Sequence, residues 1–132
     1  MGLSPTLWGK EGWRFIHFVA VTYQPSKKEE YLKFFQNLPE ILPCPVCGEH
    51  FKQNMAKLPP RMESNQTLFE WSVDMHNLVN KETGKKIYTY AQAHKEMFPE
   101  AKTGYKVSDF ANGILLSTAV LGILVFLTRK KE

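Results

Sequence analysis

The amino-acid sequence predicts an all-α protein, a bundle of four to five helices followed by a C-terminal transmembrane helix. Helix-start signals recur along the body of the chain. No stretch alternates apolar and polar residues for long enough to indicate a sheet. An uncharged apolar run lies near the C-terminus. With 132 residues, one soluble domain is expected, and we assign it to residues 1–105.

The helices of the body are predicted from their first residues. Ser4 precedes a proline, which gives an N-cap with proline at the first helical position and predicts a helix near 5–22. Cys44 is also followed by proline and predicts a helix that ends before Pro59. Three reciprocal capping boxes mark the other helices: Ser26 with Glu29 for a helix near 27–37, Thr67 with Glu70 for one near 67–83, and Thr89 with Gln92 for one near 90–97.

The segment 110–128 is predicted to cross a membrane. No charged residue occurs between Asp109 and Arg129, and a helix of this length reaches about 28 Å, close to the thickness of the hydrocarbon core of a bilayer. A buried core helix is the alternative, but such helices normally keep one polar face. Because no apolar leader opens the chain, we expect a C-terminal anchor, with a basic tail at 129–132 and the body on the cytosolic side.

Composition and charge exclude several classes of protein. The chain is 43% hydrophobic and 23% charged, which is typical of a folded protein rather than a disordered one. Its net charge of +4 comes partly from the basic tail and does not indicate nucleic-acid binding. The two cysteines lie so close together that a bridge between them closes almost no loop, so they cannot staple a small secreted domain.

The two cysteines suit redox chemistry. Cys44 and Cys47 are predicted to lie at the N-terminus of a helix, where unpaired backbone N–H groups stabilise a thiolate, the reactive form of the side chain. A single C-x2-C pair also occurs in zinc sites, and here His50 and His76 could complete four ligands. A c-type haem is excluded because Gly48, not histidine, follows the second cysteine. Dithiol exchange and a zinc-stabilised, membrane-tethered binding module both stay open on this pattern.

Two predicted helices carry polar and aromatic side chains that suit a flat cofactor. Gly9, Trp13 and His17 are spaced by four and share one face of the first helix. On the fourth helix, His76 and two asparagines form a polar stripe beside an apolar one. Taken singly, each residue could belong to the core or the surface. Together, a tryptophan, two imidazoles and two carboxamides provide the stacking and hydrogen bonds that a planar heteroaromatic cofactor such as a flavin needs.

Several segments together resemble a known family: GKEGWRFIH at 9–17, YQP at 23–25, PCPVC at 43–47 and WSVDMHNLVN at 71–80, followed by GK at 84–85. In this order and spacing they are similar to the Erv/ALR family of FAD-dependent sulfhydryl oxidases. The resemblance implies an Erv/ALR-type helical bundle that binds FAD and forms a homodimer. It also implies a flavin-dependent thiol oxidase, which forms disulfides in partner protein dithiols and passes electrons through FAD to oxygen, with release of hydrogen peroxide.

The resemblance also implies roles for individual residues, and it implies no metal site. Cys47 matches the cysteine next to the flavin, and Cys44 matches the distal cysteine that exchanges with substrate. Lys10 stands where the family commonly has arginine, and a point charge there would bind more loosely than a planar fork. The implied cofactor-binding set is Gly9, Lys10, Trp13, His17, Tyr23, His76, Asn77, Val79, Asn80 and Lys85.

Within that set, the family pattern assigns different parts of FAD to different residues. Trp13, His17 and Tyr23 would pack around the flavin and adenine parts. His76 and the two asparagines would contact the adenine and ribose region, and Lys85 would approach the phosphates.

The chain departs from the family pattern in two ways. The positions of a second, structural disulfide hold Val73 and, by spacing, Tyr90, so packing must join the fourth and fifth helices. A shuttle cysteine pair, common in relatives, is absent from this sequence, so electrons would come directly from a partner's thiols to Cys44. We expect that partner to be a thiol protein, such as a thioredoxin-like or small CxxC relay protein. The compact build resembles the versions encoded by large cytoplasmic DNA viruses, which would place the protein in a host-cell membrane or a virion.

Overall fold

A computed structural model describes residues 2–99 of the chain. The predicted transmembrane helix at 110–128 and the tail at 129–132 lie outside these residues. Residues 2–99 contain no β-strand, which confirms the all-α prediction, and none of their helices is long and apolar enough to cross a membrane. The elements are α1 (Pro5–Val21), a 3-10 turn (Pro25–Lys27), α2 (Lys28–Ile41), α3 (Pro45–Lys57), α4 (Asn65–Glu82) and α5 (Tyr90–Met97).

Two compact units divide the chain, one that runs up to Ala93 and one that begins at His94. In the first unit α1 packs along α4, and α2 packs against α3. Trp71 of α4 is fully buried in the core. Its ring meets the Phe35 ring of α2 edge-on at 4.8 Å, and its indole N–H donates to the carbonyl of Leu58 at 2.8 Å. Because burying an apolar side chain of this size contributes about 1.5–3 kcal/mol, such residues hold the helices together.

Helix α2 is longer than predicted. It ends at Ile41 rather than near residue 37, and Pro39 lies inside its last turn. Proline lacks the N–H that would continue the helical hydrogen bonds. Pro39 is nevertheless buried, and its carbonyl lies so close to Gly48 of α3 that a Cβ at that glycine would collide with it. We conclude that packing between α2 and α3 outweighs the cost of a proline in the final turn.

The predicted start of the fourth helix at Thr67 is wrong by a few residues. Ser64 is the N-cap of α4, and its side chain accepts a hydrogen bond from the Thr67 N–H at 3.1 Å. The Thr67 hydroxyl accepts in return from the Ser64 N–H at 3.0 Å. Threonine therefore fills the position that the prediction reserved for glutamate, and the helix begins earlier, at Asn65.

The other predicted caps have mixed outcomes. Ser4 caps α1 and is confirmed. Thr89 and Gln92 form the predicted reciprocal pair, with hydrogen bonds of 3.0 and 3.2 Å. Ser26 is not a cap, because it lies within the 3-10 turn, and α2 begins at Lys28 without a side-chain cap.

A polar cluster joins α4 to the start of α5, where the family pattern would have a second disulfide. The hydroxyl of Tyr90 donates to both carboxylate oxygens of Asp74, at 3.0 and 3.1 Å. The Arg61 guanidinium pairs with the same carboxylate at 2.7 Å. The cluster thus links α4 to Tyr90, the first residue of α5.

Candidate functional site

The two cysteines form a disulfide at the N-terminus of α3. Cys44 is the N-cap of the helix, and its Sγ accepts a hydrogen bond from the Cys47 N–H at 3.2 Å. The two Cα atoms are 5.2 Å apart, and both residues are half-buried. The pair therefore lies at the helix end whose free N–H groups favour a negatively charged sulfur.

The surface around the disulfide, which we call the disulfide mouth (residues 41–48), is apolar and open. It carries no charged residue. Ile41 is 72% exposed and Val46 is 65% exposed. The N-terminal segment borders it, because the Leu3 N–H donates to the carbonyl of Pro43 at 2.6 Å. The mouth is thus accessible to another polypeptide and offers it apolar contacts, and the charged residues Glu40, Glu49 and Lys52 line a small cavity beside it.

The zinc interpretation is not supported. Within residues 2–99, no group of three or more His, Cys, Asp or Glu side chains is placed to hold a metal ion. Cys44 and Cys47 are joined to each other. His50 is exposed on α3, whereas His76 packs against Trp13 of α1. The four proposed ligands do not meet, so this alternative is wrong for the described part of the chain.

A row of rings begins one helical turn from the disulfide, and we call it the ring wall (Phe51, Trp13, His76 and Tyr88). Trp13 stacks on His76, with 4.4 Å between ring centroids and 7° between ring planes. Phe51 lies 6.0 Å from Trp13, and Tyr88 lies 6.4 Å from His76. Because Phe51 follows Cys47 by four residues, it shares that face of α3. The ring wall thus links the cysteine helix to α1 and α4.

The two histidines of the site belong to one hydrogen-bonded chain. His17 is 3% exposed, and its Nδ1 lies 2.8 Å from Ser72 Oγ, while its Nε2 lies 3.1 Å from His76 Nδ1. Burial, with His76 close by, lowers the pKa of His17 to about 3. Burial, with Lys85 nearby, lowers the pKa of His76 to about 4. Both imidazoles are therefore neutral at pH 7.

Asn77 and Asn80 hold the segment that follows α4. Asn77 Nδ2 donates to the carbonyl of Tyr88 at 2.8 Å, and Asn77 Oδ1 accepts from the Tyr88 N–H at 3.0 Å. Asn80, which is 3% exposed, donates to the carbonyl of Lys86 at 3.0 Å. These amide groups bind backbone and place Tyr88 beside His76, and their predicted contact with adenine and ribose stays a prediction.

Four other residues of the predicted set have no side-chain hydrogen bond or ring contact to the ring wall within residues 2–99: Gly9, Lys10, Tyr23 and Val79. Tyr23 is buried, and its hydroxyl donates to the carbonyl of Met62 at 3.0 Å. Lys10 is exposed, and Gly9 is half-buried one turn before Trp13. Tyr23 therefore stabilises the fold just beyond the end of α1. The contact of these four residues with FAD also stays a prediction.

Three residues of this region were not identified from the sequence: Phe51, Ser72 and Tyr88. Helical spacing could have found two of them, since Phe51 follows Cys47 by four residues and Ser72 precedes His76 by four. Tyr88 lies outside any helix. Its position depends on the asparagine contacts, for which the sequence has no local signal.

The side chains present fit a flat, anionic cofactor such as a flavin nucleotide. Trp13 and His76 are stacked but half-buried, so part of their surface stays open to a further ring. Lys85 is exposed and close enough to affect the pKa of His76, which puts positive charge near the rings.

A family model described as "Erv1 / Alr family" matches residues 10–99 of this chain. Among curated proteins, the chain is 37% identical over 114 residues to the probable FAD-linked sulfhydryl oxidase of Acanthamoeba polyphaga mimivirus. That match covers 78% of this chain and 80% of the relative. The chain is also 30% identical over 98 residues to the FAD-linked sulfhydryl oxidase of an African swine fever virus isolate (Pig/Kenya/KEN-50/1950), covering 71% of this chain and 82% of the relative.

Solved structures with a similar fold come from the same family. The crystal structure of the yeast Erv1 core superposes with a TM-score of 0.68 at 25% identity, covering 80% of this chain and 90% of that one. The crystal structure of the FAD-binding domain of Erv1 from Saccharomyces cerevisiae gives a TM-score of 0.65 at 25% identity, covering 79% of this chain and 99% of that one. Sequence and fold therefore point to the same relatives.

Proposed function

This chain belongs to the Erv1 / Alr family, and on that premise we propose that it is a FAD-dependent sulfhydryl oxidase whose working disulfide is Cys44–Cys47. One observation carries the proposal: the disulfide begins α3, and one turn further along the same helix Phe51 joins the ring wall. An exchangeable sulfur pair and a stacking surface for a flat cofactor thus share one helix. The sequence holds no other cysteine that could take this role.

Binding of FAD is proposed to rest first on the ring wall and its neighbours. Trp13 and His76 provide stacked, half-buried rings, and the hydrogen bond between His17 and His76 holds the His76 ring in place. Lys85 supplies positive charge for the phosphates. For the remaining residues of the cofactor-binding set, contact with FAD is proposed from the family resemblance.

The proposed reaction begins at the disulfide mouth. A substrate thiolate attacks Cys44 Sγ, the Cys44–Cys47 bond breaks, and Cys47 leaves as a thiolate. The second substrate thiol then attacks the substrate sulfur of the mixed disulfide, which completes the substrate disulfide and releases Cys44. The substrate loses two electrons and the cysteine pair gains them. The ring wall would hold FAD, which would supply the two-electron chemistry that carries these electrons to oxygen, and the two thiol protons would complete hydrogen peroxide.

The position of the cysteines suits each for its proposed part. Ile41 and Val46 surround the pair with exposed apolar surface, so a substrate polypeptide can cover the mouth while its thiol reaches Cys44. Cys47 lies within the first turn of α3, where the free N–H groups of the helix stabilise the thiolate that the first step releases. It also lies on the side of the helix that carries Phe51 and the ring wall.

The assembly and location of the enzyme are proposed from the sequence and the family. We propose a homodimer, a thiol protein as direct electron donor, and a membrane anchor at 110–128. The absence of a shuttle cysteine pair from the sequence supports direct transfer. The named relatives in mimivirus and African swine fever virus support an origin in a large DNA virus.

The visible spectrum of the purified full chain tests this function. After reconstitution with FAD and removal of free cofactor, the protein should be yellow, and it should consume oxygen and release hydrogen peroxide when dithiothreitol is added. A matched chain with Glu49→Gln, an exposed position on α3, should behave in the same way. A protein that stays colourless after incubation with excess FAD would contradict the proposal.

A further inference from the structure

Hydrogen bonds run from His76 through His17 and Ser72 to the carbonyl of Phe69. The carbonyl at the buried end determines which atom donates in each of these bonds. The carbonyl of Phe69 can only accept, so the Ser72 hydroxyl, 2.6 Å away, donates its single hydrogen to it. Ser72 Oγ must then accept from His17 Nδ1, at 2.8 Å. His17 therefore carries a hydrogen on Nδ1.

The protonation of His17 in turn fixes which atom of His76 carries hydrogen. A neutral His17 with hydrogen on Nδ1 has a lone pair on Nε2. The 3.1 Å hydrogen bond between the rings must then run from His76 Nδ1 to His17 Nε2. Because burial lowers the pKa of both imidazoles far below 7, His76 is neutral too, and its Nε2 holds a lone pair rather than a hydrogen.

The ring of His76 is held in one orientation. It lies flat against Trp13, and a half-turn of the ring would keep this stacking but break the hydrogen bond from Nδ1 to His17. Nε2 therefore points away from His17. Within residues 2–99 no hydrogen-bond donor meets it, so a lone pair of defined direction is available to a ligand.

We infer that Ser72 is a positioning residue of this site, because through His17 it makes His76 present a hydrogen-bond acceptor to the cofactor. The inference rests on the proposed binding of FAD and adds a chemical restriction to it. His76 meets a hydroxyl or amino group of the cofactor, since a phosphate oxygen has no hydrogen to offer a lone pair at pH 7. Recognition of the phosphates is then left to Lys85 and other donors.

Nitrogen-15 NMR of the full chain, labelled at histidine and recorded with and without FAD, tests the protonation pattern directly. The expected result is that His17 and His76 both carry hydrogen on Nδ1, the opposite of the form that free neutral histidine prefers. When FAD binds, the His76 Nε2 resonance should shift while that nitrogen stays unprotonated. A hydrogen on His76 Nε2, in either state, would overturn the inference.

Two variants test the part played by Ser72. Ser72→Ala removes the acceptor for His17 and should weaken FAD binding roughly 3- to 10-fold, the effect of one lost hydrogen bond, while His17 populates both neutral forms. Ser72→Thr keeps the hydroxyl and should restore both the FAD affinity and the histidine spectra of the wild type. Unchanged FAD affinity and unchanged histidine spectra in Ser72→Ala would overturn the inference, and the wild-type spectra decide the matter if the variants do not fold. Failure of the wild-type chain to bind FAD would instead contradict the proposed function.

Discussion

The disulfide mouth and the ring wall adjoin on α3 and are built in opposite ways. At the mouth, backbone geometry sets the position of the sulfurs, and the nearby side chains Ile41 and Val46 extend into solvent. In the ring wall, Trp13 and His76 stack on each other, His17 forms a hydrogen bond to the His76 ring, and Asn77 bonds the backbone of Tyr88. A site that exchanges covalent partners needs access, whereas a site that keeps a cofactor needs a preformed surface. A change at the mouth should therefore reduce dithiol exchange, whereas a change in the ring wall should reduce stability or cofactor binding.

The largest effect is expected from a change that affects only the mouth. Cys47→Ser removes the thiolate that leaves Cys44 and should lower dithiol turnover by at least about 1,000-fold, as for other covalent groups that act as a unit. FAD should remain bound, because the ring wall is intact. Oxygen consumption and the visible spectrum check both points. Turnover at the wild-type rate would show that the cysteine pair is not the working couple.

Acid should affect the ring wall before the mouth. The folded-state pKa values of His17 and His76, about 3 and 4, lie below the unfolded value of 6.5. The unfolded chain therefore binds more protons between these values, and the stability that the neutral pair contributes is present above pH 6.5 and is lost as the pH falls. For His17 alone the loss between pH 7 and pH 4.5 should be about 2–3 kcal/mol.

Urea unfolding at both pH values measures this loss of stability. In His17→Gln, the difference in free energy of unfolding between the two pH values should be smaller by most of the His17 share. In His50→Gln, a change at an exposed position of α3, this difference should equal that of the wild type. Equal pH dependence in all three proteins would mean that His17 is not held neutral by the fold.

A steric change tests how the mouth is positioned. Gly48→Ala would press a Cβ into the carbonyl of Pro39 and should lower the free energy of unfolding by about 1–3 kcal/mol, in the range of an overpacked core. Thermal unfolding measures it. Gly9→Ala is the matched control, because a Cβ there meets only Pro5 at 3.9 Å, and it should be neutral or stabilising by up to about 1 kcal/mol. Equal stability of both variants would contradict the close contact between α2 and α3.

The smallest effect concerns the cluster that stands in place of the second disulfide. Tyr90→Phe removes the hydrogen bonds to Asp74 and should lower the free energy of unfolding by about 0.5–1.5 kcal/mol. Tyr31→Phe removes one bond to an uncharged acceptor, the carbonyl of Thr22, and should cost less, about 0.5 kcal/mol or below, because bonds to charged groups are the stronger ones. If both changes have the same effect, the cluster does not join α4 to α5.

The sequence predicted the helices and the cysteine pair well because both depend on local signals. Proline after Cys44 and the reciprocal pair at Thr89 act over one turn of chain, and both caps are present. The end of α2 was wrong because it depends on a contact between Pro39 and Gly48 of another helix. The predicted start of α4 was wrong because Thr67, rather than glutamate or glutamine, fills the N3 position of the Ser64 capping box.

The hydrogen bonds inside the site were harder to predict because they too depend on contacts between residues far apart in the sequence. Trp13, His17 and His76 were recognised by their helical spacing and by family resemblance, and the structure brings all three together. The part of Ser72 depends on a bond across two helices to a residue far away in sequence. The asparagines were expected to face a cofactor, yet their amides first satisfy backbone groups of the following segment, a pairing that no helical pattern reveals.

We propose that Cys47 lies against the bound flavin, and a comparison of two FAD-loaded variants tests this proximity. In Cys44→Ser the remaining Cys47 thiolate should give a broad charge-transfer absorption at wavelengths beyond the main flavin band. In Cys47→Ser this absorption should be missing although the flavin is bound. A band in Cys47→Ser, or in neither variant while both are yellow, would contradict the account.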